Sequence, residues 1–381
     1  MKTIIIGGGI GGLTTAIALR QQGLDCQIFE AAPELQPVGA GIWMAPNALQ
    51  VLARLGVADA VKKNGCILRE ARITDQRGRL LSAMDGSRTE VRYGQPLCAI
   101  HRGRLQQVLL NALDANHIQL GKRVQSITQN DRSVDVQFAD GTTASGDVLI
   151  GADGIHSAVR QSLFGPAPLR YSGQTCWRGV AHMELPAVLR ACGHELWGVR
   201  AGLRFGFSHI HATEVYWYLS VAARPADPTL NNSKAQLKQL AGAFPEVVHA
   251  ILDATDESGI LRTDLFDLKP IASWTEGRVA LLGDAAHAMT PNLGQGGSQA
   301  IEDAWVLAGA LAGEADLPTA FQVYQAKRMP KARRIVRTSF RIGQLSNLGG
   351  PLTTALRNTL LRWTPRSVNE RQMDSLYRLN Y

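Results

Sequence analysis

Cysteine is scarce: five in 381 residues, with no C-x-x-C pair and no histidine cluster at metal-ligand spacing. That excludes a disulfide framework and a structural zinc site as expectations, and it points to a reducing, cytoplasmic setting. No apolar run reaches 18 residues, so no membrane-spanning helix is expected. The stretch from Lys2 to Leu19 imitates a secretory leader, but Gly7, Gly8, Gly9, Gly11 and Gly12 break it and no small-residue cleavage site follows. Charged residues make up 19% and hydrophobic ones 45%, which rules out disorder and fibrous repeats. The length suggests about two domains with room for a cleft between them.

Acidic residues are nearly absent from the C-terminal part. Residues 327–381 hold twelve Lys/Arg against Glu370 and Asp374, so this segment carries +10 of a net +8 and the rest sums to −2. Ile335, Val336, Phe340, Leu345, Leu348, Leu352, Leu356, Leu360, Leu361 and Trp363 recur among these charges at helical spacing. Two readings stay open: basic helices packed on the body with a solvated rim, or peripheral contact with an anionic membrane surface. Nucleic acid is not expected as a partner.

The chain opens as strand, glycine turn, helix, strand: Thr3–Ile6, Gly11–Gln22, Cys26–Phe29. A helix over Ala45–Leu55 should stop at Gly56. Gly65–Tyr93 reads as antiparallel strands, Arg104–Ala115 as helix, and Val134–Phe138 with Thr142–Ala144 as a hairpin about Asp140-Gly141. Asp147–Gly151 is a buried strand. From Tyr171 to about Leu268 strands dominate, with Leu203–Ile210 beside Val215–Val221 and one helix near Ser233–Ala243. Arg278–Gly283 is a strand and Gly296–Ala312 a long helix. The fold class is therefore α/β: a Rossmann-like nucleotide-binding domain (1–70, 96–170, 272–330) interleaved with a β-rich substrate domain (71–95, 171–271), followed by basic C-terminal helices (331–381).

Three segments carry chemistry. Gly7-x-Gly9-x-x-Gly12 lies between a strand and a helix, where the glycines allow a tight turn, close approach to a pyrophosphate and close helix packing. Glu30 ends the next strand 23 residues on, placed to accept hydrogen bonds from ribose hydroxyls. Asp153-Gly154 follows a buried strand; taken alone it is a turn with an acidic helix cap. Gly283-Asp284 is followed by the glycine-rich loop through Gly294, Gly296, Gly297 and Ser298 that opens a long helix, so backbone N–H groups at a positive helix end face an anion.

These three segments, in this order and spacing over residues 1 to about 330, resemble the fingerprints of the single-component FAD-dependent aromatic hydroxylases with the p-hydroxybenzoate hydroxylase fold. Tyr171–Arg178, Gly202–Phe207, Gly283–Gln295 and Leu356–Leu360 are most similar to the 2-alkyl-4-quinolone 3-monooxygenase branch, with urate hydroxylases and zeaxanthin epoxidases more distant. The resemblance implies bound FAD and NADH or NADPH as co-substrate. It implies Gly7, Gly9 and Gly12 at the FAD pyrophosphate, Glu30 at its ribose, and Arg102 and Asp284 at the pyrophosphate or ribityl region. Asp153 would organise the pyrophosphate and the NAD(P)H encounter, and Gly297 and Ser298 would meet the flavin pyrimidine edge. In such enzymes hydride reduces the flavin, oxygen adds at C4a, and the resulting hydroperoxide passes its distal OH to the substrate.

Arg204 and Tyr216, on adjacent expected strands, match substrate-contacting positions of this family. Arg204 would orient a carbonyl or phenolate oxygen; otherwise it is a surface arginine, and Tyr216 a packed core tyrosine. Trp177, Trp197 and Trp217 either line an aromatic pocket or fill cores. His287 reads as a structural histidine, and no general base stands out. The expected activity is hydroxylation of a small apolar aromatic or heteroaromatic substrate, quinolone-like, with O2. Isoprenoid epoxidation, purine hydroxylation and a non-oxygenating FAD protein with a basic interaction tail are the alternatives.

Overall fold

The computed structural model describes residues 1–35 and 39–381. A six-stranded sheet runs in the order Thr275–Glu276, Val279–Leu281, Val148–Gly151, Lys2–Ile6, Asp25–Phe29, Ile118–Gln119. Every pairing is parallel except the short first one. A parallel sheet is covered on both faces and needs continuously apolar strands; accordingly Ile4, Ile5, Ile28, Leu149, Ile150 and Leu281 are all buried. Helix Ile10–Gln21 packs on helix Gly296–Gly313, which packs on helix Leu317–Ser346.

The second large sheet has seven strands in the order Leu261–Leu268, Leu169–His182, Glu214–Ala222, Arg204–His211, Cys192–Trp197, Glu70–Asp75, Leu80–Asp85. Segments far apart in the chain thus build one sheet that interrupts the nucleotide-binding part, as the interleaved α/β reading expects. Side chains alternate between its faces. Trp177, Phe205, Phe207, Trp217 and Leu219 point into a closed core completed by helices Lys234–Leu240 and Glu246–Asp253. Phe205 and Trp217 stack there at 5.7 Å. The opposite face presents Arg178, Arg204, Ser208, Tyr216 and Tyr218, whose registers interleave across three strands.

Some helices replace expected strands or shift their bounds. Gly86–Tyr93, within a segment read as strand, is helical because the Asp85 side chain accepts from Arg88 N–H at 3.0 Å and Gly94 stops the helix at φ +75°. Its caps outweigh the alternating pattern. A second helix, Glu246–Asp253, joins the one expected in the β-rich segment. It starts after Pro245 and buries Val248, Ile251 and Leu252 on one face. The helix expected over Arg104–Ala115 spans Arg102–Leu110, since Ala112 and Leu113 already turn back to Leu109 and Leu110. The basic tail forms three helices, Leu317–Ser346, Pro351–Trp363 and Arg366–Tyr377.

Charge is buried where helix Gly296–Gly313 meets helix Leu317–Ser346. Asp303 Oδ2 accepts from Gly283 N–H at 3.0 Å and lies 2.5 Å from His287 Nε2, while Oδ1 accepts from Arg328 Nε at 2.7 Å. Arg328 also reaches Glu302 at 2.6 Å, and Lys331 and Asn47 converge on the same carboxylate at 2.9 and 2.6 Å. Tyr381 closes the cluster by donating to Glu302. Removing one partner of such a pair strands the other, at about 3–5 kcal/mol.

Burial alone would raise the Asp303 carboxyl, but the charges of His287 and Arg328 outweigh it and bring it down to about 2. The folded state therefore holds the proton less tightly than the unfolded chain. The stability this contributes is present above the ordinary carboxyl value of about 4 and is lost as pH falls toward about 2. Urea unfolding should show stability dropping across that window. Asp303→Asn should cost about 3 kcal/mol at neutral pH and flatten the drop; an unchanged slope in the variant would contradict the assignment.

Candidate functional site

Four neighbouring parallel strands, Val279–Leu281, Val148–Gly151, Lys2–Ile6 and Asp25–Phe29, run the same way, so their carboxyl ends lie along one edge of the sheet. That edge is where open α/β sheets place ligands. Directly beyond it come Asp284, Asp153, the Gly7–Gly12 turn and Glu30.

The glycines differ in what they do. Gly7 takes φ +109°, and a Cβ there would lie 2.5 Å from the Ala152 carbonyl oxygen, so the first turn rests on the second. A Cβ on Gly12 would sit 1.9 Å from Gly7 O, because the helix closes tightly on the turn. Nothing lies within 4 Å of a Cβ on Gly9, which leaves its backbone open to a ligand. Glu30 Oε2 accepts from Gly8 N–H at 2.6 Å and Oε1 from Ala32 N–H at 2.8 Å. Its carboxylate is thereby fixed at the strand end.

Asp153 spends both oxygens on a helix cap, accepting from Ser157 Oγ at 2.6 Å and Val159 N–H at 3.1 Å. Burial raises its carboxyl and these bonds oppose the rise. Arg160, given no role from the sequence, donates to Ala285 O at 2.9 Å and Ile155 O at 2.7 Å, tying the second turn to the third. Asp284 opens the short helix Asp284–His287. It is crowded by protein, which raises its carboxyl against the charges of His287 and Arg102, yet it stays exposed. That combination belongs to a group lining a cleft. Arg102 starts helix Arg102–Leu110, packs along Gly39, and has no side-chain hydrogen bond among the described residues. His287 is buried against Asp303, and its Nδ1 has no partner among the described residues.

Gly297 and Ser298 lie in the first turn of helix Gly296–Gly313, whose first internal bond runs from Gln299 N–H to Gln295 O at 2.8 Å. The N–H groups of Gly296, Gly297 and Ser298 find no acceptor among the described residues, and Ser298 Oγ is buried without a partner. Gly297 packs beside Ile42 and Met44 of strand Gly41–Met44. Unpaired donors at a positive helix end, the open face of Gly9, the cleft carboxylate of Asp284 and a free guanidinium together fit a dinucleotide with an anionic pyrophosphate. Among the described residues no cluster of three metal-ligating side chains occurs.

The polar face of the seven-stranded sheet completes the cleft. Arg204 is 4% exposed; it donates to Glu195 Oε1 at 3.2 Å and to Asn292 Oδ1 at 2.5 Å, and its Nε has no partner among the described residues. Asn292 sits in the loop of the third turn and is held by Ser339 O at 2.9 Å, so Arg204 links the sheet to that loop. Trp197 lies between two guanidinium groups, 5.7 Å from Arg204 and 4.8 Å from Arg357. Tyr216 packs on Gly41, where a Cβ would fall 2.4 Å from its ring, and burial pushes its phenol up to about 12. Arg204 and Tyr216 share a face, but the registers set them four residues apart, roughly 13 Å, so they mark two ends of the cleft.

Other residues were not legible as site residues. Trp177 and Trp217 fill the core on the far face, whereas Trp43, not singled out beforehand, donates to Ser208 Oγ at 2.9 Å on the cleft face. Arg178 and Tyr218 also line it, between Tyr216 and Arg204. Only the strand parity of 178 and 218 with 204 and 216 could have flagged these two.

Residues 1–339 match the family described as FAD binding domain. An aurachin C monooxygenase/isomerase from Stigmatella aurantiaca is 41% identical, covering 95% of this chain and 94% of that protein. A 2-heptyl-3-hydroxy-4(1H)-quinolone synthase from Pseudomonas aeruginosa is 34% identical, covering 99% and 98%. The crystal structure of Klebsiella pneumoniae HpxO with FAD and uric acid superposes with a TM-score of 0.90 at 32% identity, covering 99% of this chain and 96% of that one.

Two glycine substitutions should separate cofactor binding from folding. Gly9→Ala meets no atom of the described residues, so its melting temperature should stay near wild type while FAD binds about tenfold or more weakly, as read by flavin fluorescence titration. Gly12→Ala must displace the Gly7 carbonyl and should lose on the order of 2 kcal/mol of stability. Full FAD affinity in Gly9→Ala would refute the cradle.

Proposed function

The chain belongs to the FAD-binding domain family and is an FAD-dependent oxidoreductase; from that premise we propose that it is a monooxygenase using NADH or NADPH and O2 to hydroxylate a largely apolar, quinolone-like heteroaromatic. The observation that carries this reading is Arg204, a buried guanidinium at one end of a cleft whose other end is aromatic and apolar. Val180 pairs with Tyr216 at that end, and both belong with Met289 and Leu293 to one apolar cluster. A ring with a carbonyl oxygen at one end and an alkyl chain at the other suits that gradient.

Bound FAD supplies the hydride and oxygen chemistry. Gly7, Gly9, Arg102 and Asp284 would hold its pyrophosphate and ribityl portion, Glu30 its ribose, and Asp153 would stiffen the second turn against the pyrophosphate. The N–H groups of Gly297 and Ser298, unpaired among the described residues, would favour negative charge on the bound flavin by about 1 kcal/mol or more when water is excluded. Arg204, braced by Glu195 and Asn292, orients the substrate oxygen. Burial pushes the Tyr216 phenol up to about 12, which suits it to offer its O–H to a substrate rather than to remove a proton.

A purine-like substrate is the second reading, supported by the likeness to the structure that holds uric acid; the apolar cluster favours the alkylated ring. We further infer that the C-terminal helices touch a membrane surface peripherally; among the described residues no helix is long and apolar enough to cross one.

Incubation with NAD(P)H and labelled oxygen should place one labelled atom in a 2-alkyl-4-quinolone and little in urate. Arg204→Gln should retain FAD yet lose about a hundredfold in substrate-stimulated NAD(P)H oxidation. A yellow protein whose oxidation rate ignores every aromatic offered would point to a non-oxygenating flavoprotein.

A further inference from the structure

Helix Pro351–Trp363 is inside out. Its inward face is polar, with Thr354, Arg357 and Asn358 all buried, while the opposite face carries Leu352, Leu356, Leu360 and Trp363 at 87%, 63%, 61% and 80% exposure. These four residues follow the i, i+4, i+8, i+11 spacing that aligns them in one stripe. A helix packed for stability alone would turn those leucines inward, and an exposed contiguous apolar stripe marks an interaction surface.

The charge beside the stripe selects the partner. On the preceding helix, Leu317–Ser346, Arg337 and Arg341 lie on the line that continues through Leu345 and Leu348, all exposed. Neither arginine has an ion-pair partner among the described residues. Along the chain the exposed cationic positions thus lead through Leu345 and Leu348 to the apolar stripe, a combination that suits an anionic bilayer, with arginines at headgroup level and leucines below. A second copy of this chain would set these unpaired cations against each other.

The inward face gives the stripe a purpose. Arg357 lies over the Trp197 ring and donates to Gly198 O at 3.1 Å, and Trp197 in turn meets Arg204. One helix therefore has its back to solvent and its front against the substrate cleft. We propose that helix Pro351–Trp363 seats the enzyme in the interface of an anionic phospholipid membrane, with the cleft drawing its lipophilic substrate from the bilayer. This deepens, and rests on, the reading of the cleft as a hydroxylase site for apolar heteroaromatics.

The test uses flotation of the FAD-loaded full chain with phosphatidylethanolamine vesicles, with or without phosphatidylglycerol. Wild type should float with the phosphatidylglycerol vesicles and be released by high salt. L352Q/L356Q/L360Q should cut recovery about tenfold or more, and R337E/R341E should remove the preference for anionic lipid. With a quinolone embedded in the vesicles the triple leucine variant should lose a matching share of its rate, while its rate on a short-chain, water-soluble quinolone without lipid stays at wild-type level. The proposal is overturned if wild type stays unbound, if the triple variant floats equally well, or if wild type is a dimer that the triple variant converts to monomer with no flotation in either. Should no aromatic stimulate wild type at all, the hydroxylase reading fails, and flotation still decides whether the stripe meets lipid.

Discussion

One buried carboxylate sets where the third turn can lie. Asp303 takes hydrogen bonds from the backbone of Gly283, from the ring of His287 and from the guanidinium of Arg328. It therefore fixes the end of a central strand, the helix after it and the long C-terminal helix with respect to one another. Asp284 and the unpaired N–H groups of Gly297 and Ser298 inherit their positions from that knot. Ionising Asp303 and Arg328 out of contact with water is costly unless each is paired, and here each has the other as its partner of opposite sign. A site meant to hold a cofactor anion needs such rigidity, because donors that move give back in reorganisation what they gain in attraction.

The cleft arises from two periodicities meeting. Parallel strands bring four polar turns to one sheet edge, and the alternation of the seven-stranded sheet sends Trp177, Phe205 and Trp217 into a core while Arg178, Arg204 and Tyr218 face the turns. Arg204 then bridges the two parts through Asn292, so the seven-stranded sheet and the loop of the third turn are joined by a hydrogen bond of the protein itself. The same wall continues through Trp197 and Arg357 to a helix whose outer surface is apolar. The glycine and aspartate turns, the polar face of the seven-stranded sheet and this apolar outer surface are thus consecutive layers of one structure.

Much of this was visible in the sequence, and what was hidden has a physical reason. The Gly7–Gly12 turn, Glu30 and the two aspartate turns are local signals, since strand, turn and helix follow each other within a few residues, and the interleaved α/β fold follows from their order. The short helix Gly86–Tyr93 was masked because its caps, not its periodicity, decide it. Which tryptophan faces the cleft depends on strand pairing and parity, which no local pattern around Trp43, Trp177 or Trp217 reveals. Arg160 and Asn292 act on partners over 80 residues away, beyond any local pattern. The tail showed apolar residues at helical spacing, but only packing reveals that Ile335 and Val336 point inward and Leu352 and Trp363 outward.

The claim that flavin and aromatic substrate share one cleft is tested most directly by anaerobic stopped-flow reduction of the bound flavin with NADH or NADPH, with and without a 2-alkyl-4-quinolone. The account predicts that the ligand accelerates reduction by about tenfold or more, since filling the cleft orders the groups around the cofactor. Identical rates with and without the ligand, in a protein that holds its FAD, would contradict it.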